Sequence, residues 1–349
     1  MWQKPASGKS IPVISPVTEE VLGEAPAANK SDTRKVVESA VSGTAQWRKV
    51  ISLERSRMLR RVAEVMRERT DEMARWLSFE LGKPLDQSKG EVSMAIEQFE
   101  WYAEEAKRIY GHILESREPH GKVLIQHEPL GVVAAFTSWN FPVVLAARKI
   151  APALAAGCSV ILLPAEEAPG SAMSLVQCLH EAGVPAGVIN LINGSADTIS
   201  PVLLNESRVR KISLTGSARV GKLLIKASAE TLKRTSMELG GHAPVIIYAD
   251  ADAEAIAEQA ALVKFKHCGQ VCASPSRYFI HESQAEAFTN KFIEITQNFK
   301  LGNGMESGVD IGPLATKKRL KEVELMVSGT LKSGARLRLG GKRPERFDR

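Results

Sequence analysis

Residues 131–163 read GVVAAFTSWNFPVVLAARKIAPALAAGCSVILL, and their pattern decides the fold. Residues 131–136 make a short apolar strand. Residues 142–156 follow with helical character, and 158–163 form a second apolar strand. Working outward, helices are predicted at 171–182, 197–204 and 217–229, with strands at 188–192 and 209–214. Short apolar strands alternating with helices imply parallel βαβ units, whose ligands bind at the carboxyl ends of the strands. Further on, strands at 243–248 and 277–281 alternate with helices at 252–265 and 286–299. Upstream the pattern is helical. Ser31-Asp32 signals the start of a helix over 31–50, and apolar spacing predicts one long helix over 53–81, stopped by Gly82-Lys83-Pro84. A third helix is expected over 89–110. The fold class is therefore α/β, and the 349 residues suggest two or three domains.

Hydrophobic residues make up 44% and charged residues 25% of the chain, an ordinary globular composition that excludes a disordered tail, a collagen-like fibre and a disulfide scaffold. Four scattered cysteines, Cys158, Cys178, Cys268 and Cys272, favour a reducing compartment. With no apolar run near the roughly 20 residues of a membrane helix and no apolar leader core, the expectation is a cytoplasmic protein without a membrane partner. The net charge is +6. Its basic stretches are Arg55, Arg57, Arg60, Arg61, Arg67 and Arg69, and the tail 332–349. They read as solvated helix faces, because no nucleic-acid-binding module accompanies them.

Four segments carry candidate chemistry. In Phe265-Lys-His-Cys-Gly-Gln-Val-Cys272, the Gly-Gln pair breaks a helix and leaves Cys272 on a loop before the next strand. A thiol there is either a nucleophile or a small core residue. Cys268 and Cys272 lack the second pair that a zinc site needs, so no metal is expected. Glu238 reads as an acid at a strand end, followed by Leu239-Gly240-Gly241, where the backbone can turn tightly and approach a ligand closely. It is a water-activating base or, more simply on local grounds, a surface turn acid. Gly216-Ser217, between a strand and a helix, offers N–H groups to a phosphate without matching the usual dinucleotide or P-loop spacing. Asn140, in Phe136-Thr-Ser-Trp-Asn-Phe-Pro142, is a neutral donor suited to an oxyanion.

Together these segments resemble the aldehyde dehydrogenase superfamily. Trp-Asn-Phe-Pro at 139–142, Pro-Ala-Glu at 164–166, Thr-Gly-Ser-x-x-Val-Gly at 215–221, Glu-Leu-Gly-Gly at 238–241 and Gly-Gln-x-Cys at 269–272 occur in the family's order. The likeness runs through nearly the whole chain. It implies a Rossmann-type parallel-sheet cofactor domain over 1–118 and 134–240, part of an oligomerisation segment over 119–133, and an incomplete catalytic domain over 241–349. It further implies Cys272 as nucleophile, Glu238 as general base and Asn140 as oxyanion donor. The cofactor, NAD or alternatively NADP, would meet Thr137, Ser138, Trp139, Glu166, Gly216, Ser217, Gly221 and Leu239, with Ser217 by the pyrophosphate and Glu166 by the adenosine ribose.

Residues 104–111, EEAKRIYG, look most like the succinate-semialdehyde branch. There Arg148 and Lys266 stand at the positions that grip the substrate's distal carboxylate, although Lys lacks the fork of Arg. Three features depart from the family. Leu163 stands where a Lys usually bonds the ribose, Ser138 replaces a common Pro, and family members continue beyond the equivalent of Arg349. The small-molecule partner expected is an aldehyde, oxidised to the acid by the full-length homodimer or homotetramer. The alternatives are a cofactor-independent thiol esterase and a catalytically silent oligomer partner.

Overall fold

The computed structural model describes residues 2–344, so the last part of the basic tail, 345–349, lies outside the described residues. In chain order the elements are β1 (Ser10–Ile14), β2 (Val21–Pro26), α1 (Lys30–Trp47), α2 (Ser52–Glu68), α3 (Thr70–Leu81), α4 (Leu85–Ala106), β3 (His112–Glu115), β4 (Lys122–Ile125), β5 (Val132–Phe136), α5 (Pro142–Ala155), β6 (Ser159–Leu163), α6 (Pro169–Glu181) and β7 (Ile189–Leu191). There follow α7 (Ala196–Asn205), β8 (Val209–Gly216), α8 (Ala218–Ser228), β9 (Arg234–Leu239), β10 (Ala243–Ile247), α9 (Ala253–Phe265), β11 (Pro275–Ile280), α10 (Glu282–Gln297) and α11 (Lys317–Lys332). The chain divides into two units. One holds the residues up to Ile14, Val21–Leu77 and Ser88–Gly240, and the other holds Ser15–Glu20, Ser78–Gln87 and the chain from Gly241 onward.

The first unit is built on a five-stranded parallel sheet of order β7-β6-β5-β8-β9. Every residue of β5 and β6 is buried, which explains why they are apolar throughout except for Ser159, whose hydroxyl donates to the Ala40 carbonyl. Alternate side chains lie on one face: Val132, Ala134 and Phe136 of β5, Ile161 and Leu163 of β6, and Ile212 and Leu214 of β8 pack with Val37 and Ala40 of α1 and Ile199 and Leu203 of α7. Helices α5 and α6 pack with α2. The buried Trp47 indole ties α1 to α5 by donating to the Leu154 carbonyl at 2.9 Å.

Several elements differ from the sequence expectation. The strand expected to end near Glu238 is β9, a fifth strand of the sheet, whose range is obscured because it is largely exposed and carries polar residues. The helix expected over 53–81 is two helices, because α2 ends at Arg69, whose φ and ψ are −105° and 14°. The apolar spacing runs on through the break and hides it. Helix α1 starts earlier than Ser31. Asn29 caps it by accepting from the Ser31 and Asp32 amides, and the Asp32 carboxylate accepts from the Asn29 amide. The hairpins β1-β2 and β3-β4 and the helix α11 were not anticipated. Their side chains are mostly exposed, so no continuous apolar pattern marks them.

The basic run of α2 is largely met by carboxylates. Arg57 pairs with Glu54 and Arg67 with Glu100, both at 2.5 Å, and Arg60 pairs with Glu104. Arg69 bonds Glu72 and Glu181 at 2.7 and 2.6 Å. Arg55 is instead buried, donating to the Val50 carbonyl. In the second unit β10 and β11 pair in parallel, and α9 and α10 pack together. Its core joins Ile247, Ala253, Ala257 and Ala260 to Phe288, against which Tyr278 lies at a ring separation of 5.4 Å. No helix among the described residues is long and apolar enough to cross a membrane.

Candidate active site

The order β7-β6-β5-β8-β9 sends the chain one way from β5 to β6 and the other way from β8 to β9. The carboxyl ends of β5 and β8 flank this reversal, where open parallel sheets bind ligands. In register, Phe136 stands beside Leu163 and Leu214, Thr215 beside Glu238, and Gly216 beside Leu239. The residues that follow, Thr137–Asn140, Glu166 and Ser217, therefore share one edge of one sheet with Glu238 and Leu239. The Thr137 amide donates to the Leu163 carbonyl at 3.2 Å. A recess of about 740 Å³ lies at the opposite edge, lined by Val132, Ser207, Arg208 and Arg210 among others, and none of the predicted site residues borders it.

Asn140 is buried, 9% exposed, in the loop before α5. That helix begins with Pro142 and has no side-chain cap of its own at Phe141. Its exposed amides are satisfied from α4 instead. Glu91 is fully buried and its Oε1 accepts from the Val143 and Val144 amides at 2.9 and 3.2 Å. Hydrogen bonds to a charged group are each worth about 1.5–3 kcal/mol, so this remote cap firmly sets where α5 starts and where Asn140 is held.

At β8, Ser217 caps α8, its hydroxyl accepting from the Val220 amide at 3.3 Å. Helix α8 packs closely on the end of β9 at Gly221, where an added Cβ would stand 2.9 Å from a Leu239 methyl and would make that side chain shift. Glu238 and Ser217 are exposed.

In the second unit Cys272 is exposed, between α9 and β11 as its sequence suggested. Cys268 is half-buried, and burial pushes its thiol up to about 11. Its thiolate is therefore scarce near neutrality. Among the described residues no group of three or more His, Cys, Asp or Glu side chains is placed to hold a metal ion.

The aldehyde dehydrogenase family profile matches residues 2–349. This chain belongs to the aldehyde dehydrogenase family. It is 40% identical over 341 residues to the glutarate-semialdehyde dehydrogenase of Pseudomonas putida, covering 98% of this chain and 71% of that one. It is 38% identical over 345 residues to an Escherichia coli protein named as an NADP(+) succinate-semialdehyde dehydrogenase, covering 99% of this chain and 72% of that one. The crystal structure of succinate-semialdehyde dehydrogenase from Burkholderia pseudomallei superposes with a TM-score of 0.97 at 39% identity, over 99% of this chain and 72% of that one. The chain thus spans about 71% of the length of the first of these relatives.

Aldehyde dehydrogenases oxidise aldehydes to acids with NAD or NADP. The residues here fit such a dinucleotide. Thr137 Oγ1, at the end of β5, is buried and has no hydrogen-bond partner among the described residues, and the first turn of α8 presents backbone N–H groups beside Gly216. Leu163 contributes no donor, since its side chain is in the core under the sheet, 4% exposed.

Arg148 on α5 and Lys266 in the second unit are both exposed. Beside Arg148 stands a second cation that no motif marks. Lys149 is buried and its Nζ donates to Ser213 Oγ of β8 at 3.2 Å. The helical phase of α5, which turns 148 outward, was the available signal for it. Burial pushes the Lys149 amine down to about 8, opposed by the attraction of Glu238 and assisted by Lys211. An unfolded lysine titrates near 10.4. The cost of burying the charged amine is therefore fully present below about 8 and is gone above about 10.4. Between them the unfolded chain binds the extra proton, so stability rises with pH, by on the order of 3 kcal/mol. Lys149→Met should flatten this rise in denaturant titrations across that range. An unchanged slope would show that the amine titrates normally.

Proposed function

We propose that this chain oxidises an aldehyde bearing a distal anionic group to the corresponding acid, with Cys272 as nucleophile, Asn140 as oxyanion donor and Glu238 as general base. Its support is the gathering of Thr137–Asn140, Gly216-Ser217 and Glu238 along one sheet edge in a member of the aldehyde dehydrogenase family. The Cys272 thiolate bonds to the carbonyl carbon, and the oxygen takes the negative charge. The Asn140 side-chain amide and the Cys272 backbone N–H donate to that oxygen. Thr137, Ser138, Trp139, Gly216 and Ser217 would hold the nicotinamide dinucleotide, which would supply the acceptor for the hydride that leaves the former carbonyl carbon as the thioester forms. Glu238 removes a proton from water, which attacks the thioester; the acid leaves and Cys272 returns as thiolate.

The dicarboxylic semialdehydes in the names of two relatives support the distal anion. Arg148 and Lys266 are the cations assigned to it. Thr137, Ser138, Trp139, Gly216, Ser217, Gly221 and Leu239 are assigned to the cofactor, and the exposed Glu166 to its adenosine ribose. A carboxylate there repels a 2′-phosphate, so NAD should bind more tightly than NADP. The exposed apolar residues of the β3-β4 hairpin, Ile113, Leu114, Val123 and Leu124, are assigned to self-association into dimers or tetramers.

The test supplies succinate semialdehyde, glutarate semialdehyde and an uncharged aldehyde with each cofactor, and follows cofactor reduction. Faster reduction with the two acids, and tighter NAD than NADP in calorimetry, is the expected result. Turnover of an activated ester with no cofactor reduction would replace this reading by a thiol esterase. Equal or tighter NADP binding would overturn the role of Glu166.

A further inference from the structure

The turn ahead of Cys272 is strained. His267 and Cys268 have left-handed backbones, with φ of 48° and 55°, and Gly269 follows at 74°. Side chains with a Cβ disfavour this region, and successive left-handed residues persist only where their surroundings hold them. Two amide side chains do so from opposite ends of one residue. Gln87 Oε1 accepts from the His267 backbone N–H at 2.8 Å, while Gln87 Nε2 donates to the Asp310 carbonyl at 2.9 Å. On the other side the Gln270 backbone N–H and Nε2 donate to the His267 carbonyl at 3.0 and 3.2 Å, and Gln270 Oε1 accepts from the Ala315 amide at 3.1 Å. The His267 ring is itself buried, 2% exposed, and burial, with Lys83 beside it, keeps it neutral. Gln270 belongs to the Gly-Gln-x-Cys motif, whereas Gln87 lies outside every motif of the chain, 180 residues from the amide it holds.

We propose that Gln87 is a positioning residue for the nucleophile: it clamps the left-handed turn at His267 and ties it to the segment at Asp310, and so fixes the loop that presents Cys272. This rests on the assignment of Cys272 as nucleophile. The clamp needs an amide. A carboxylate at 87 retains the acceptor for His267 but meets the Asp310 carbonyl with no donor, and leucine removes both bonds.

Wild type, Gln87→Leu and Gln87→Glu are compared by amide hydrogen exchange resolved by mass, and by the rate at which iodoacetamide modifies Cys272 across pH. Gln87→Leu should speed exchange over residues 266–272 at least tenfold, leave β10 and β11 within twofold of wild type, and change the Cys272 alkylation rate threefold or more. Gln87→Glu should fall between. Unchanged exchange at 266–272, faster exchange across β10 and β11 as well, or an unchanged alkylation profile would each overturn the proposal. None of these readouts needs turnover, whereas the nucleophile assignment is judged by turnover of Cys272→Ser, so the two fail separately.

Discussion

Cys272→Ser should reduce aldehyde oxidation by about 10⁴-fold or more, the scale on which removing a covalent nucleophile acts. A serine hydroxyl is far less ionised than a thiol at neutral pH, and no other cysteine stands ready to replace it. Cys158 and Cys178 are buried, and burial pushes Cys178 up to about 12 and Cys268 to about 11. Because the Cys272 side chain is exposed, the exchange of sulfur for oxygen should leave the thermal midpoint unchanged within error. Cys268→Ser should cost little activity. Loss of turnover in Cys268→Ser but not in Cys272→Ser would move the nucleophile four residues upstream.

Asn140→Ala should lower kcat by roughly 10²–10³-fold, the usual effect of deleting one oxyanion donor. The expectation is stronger for a side chain that is held in place. Asn140 is buried, and the helix that follows it starts on two amides fastened to the Glu91 carboxylate. The donor is thus oriented before substrate arrives, and its loss should appear in kcat more than in KM. A variant with wild-type kcat and a raised KM would assign Asn140 to substrate binding instead. Thermal melts run in parallel separate either outcome from a loosened α5.

The βα units were legible because β5 and β6 are buried on both faces and so read as plain apolar runs between helices. The same regularity puts Asn140 and Cys272 on loops and Ser217 at the start of a helix, where the structure has them. What stayed hidden is of three kinds. The extent of β9 is one, since it pairs by its backbone while exposing Arg234, Thr235 and Ser236, and only its end at Glu238 is marked by the glycines that follow. Glu91 and Gln87 act on amides 52 and 180 residues away, and no local pattern records such a bond. Lys149 and Arg148 are adjacent cations that the helical phase of α5 turns to different sides, but no motif marks the buried one or its bond to Ser213.

The position of β5 in the sheet bears on how the protein is made. One edge of β5 is taken by β6, which follows it closely, but the other edge is taken by β8, which begins about seventy residues later. At translation rates of about 5–20 residues per second, a strand of five apolar residues spends on the order of ten seconds with an unpaired edge. Such an edge invites pairing with another nascent chain. Synthesis, rather than the finished molecule, is therefore where this sheet is most vulnerable to aggregation, and chaperone supply during expression should govern soluble yield.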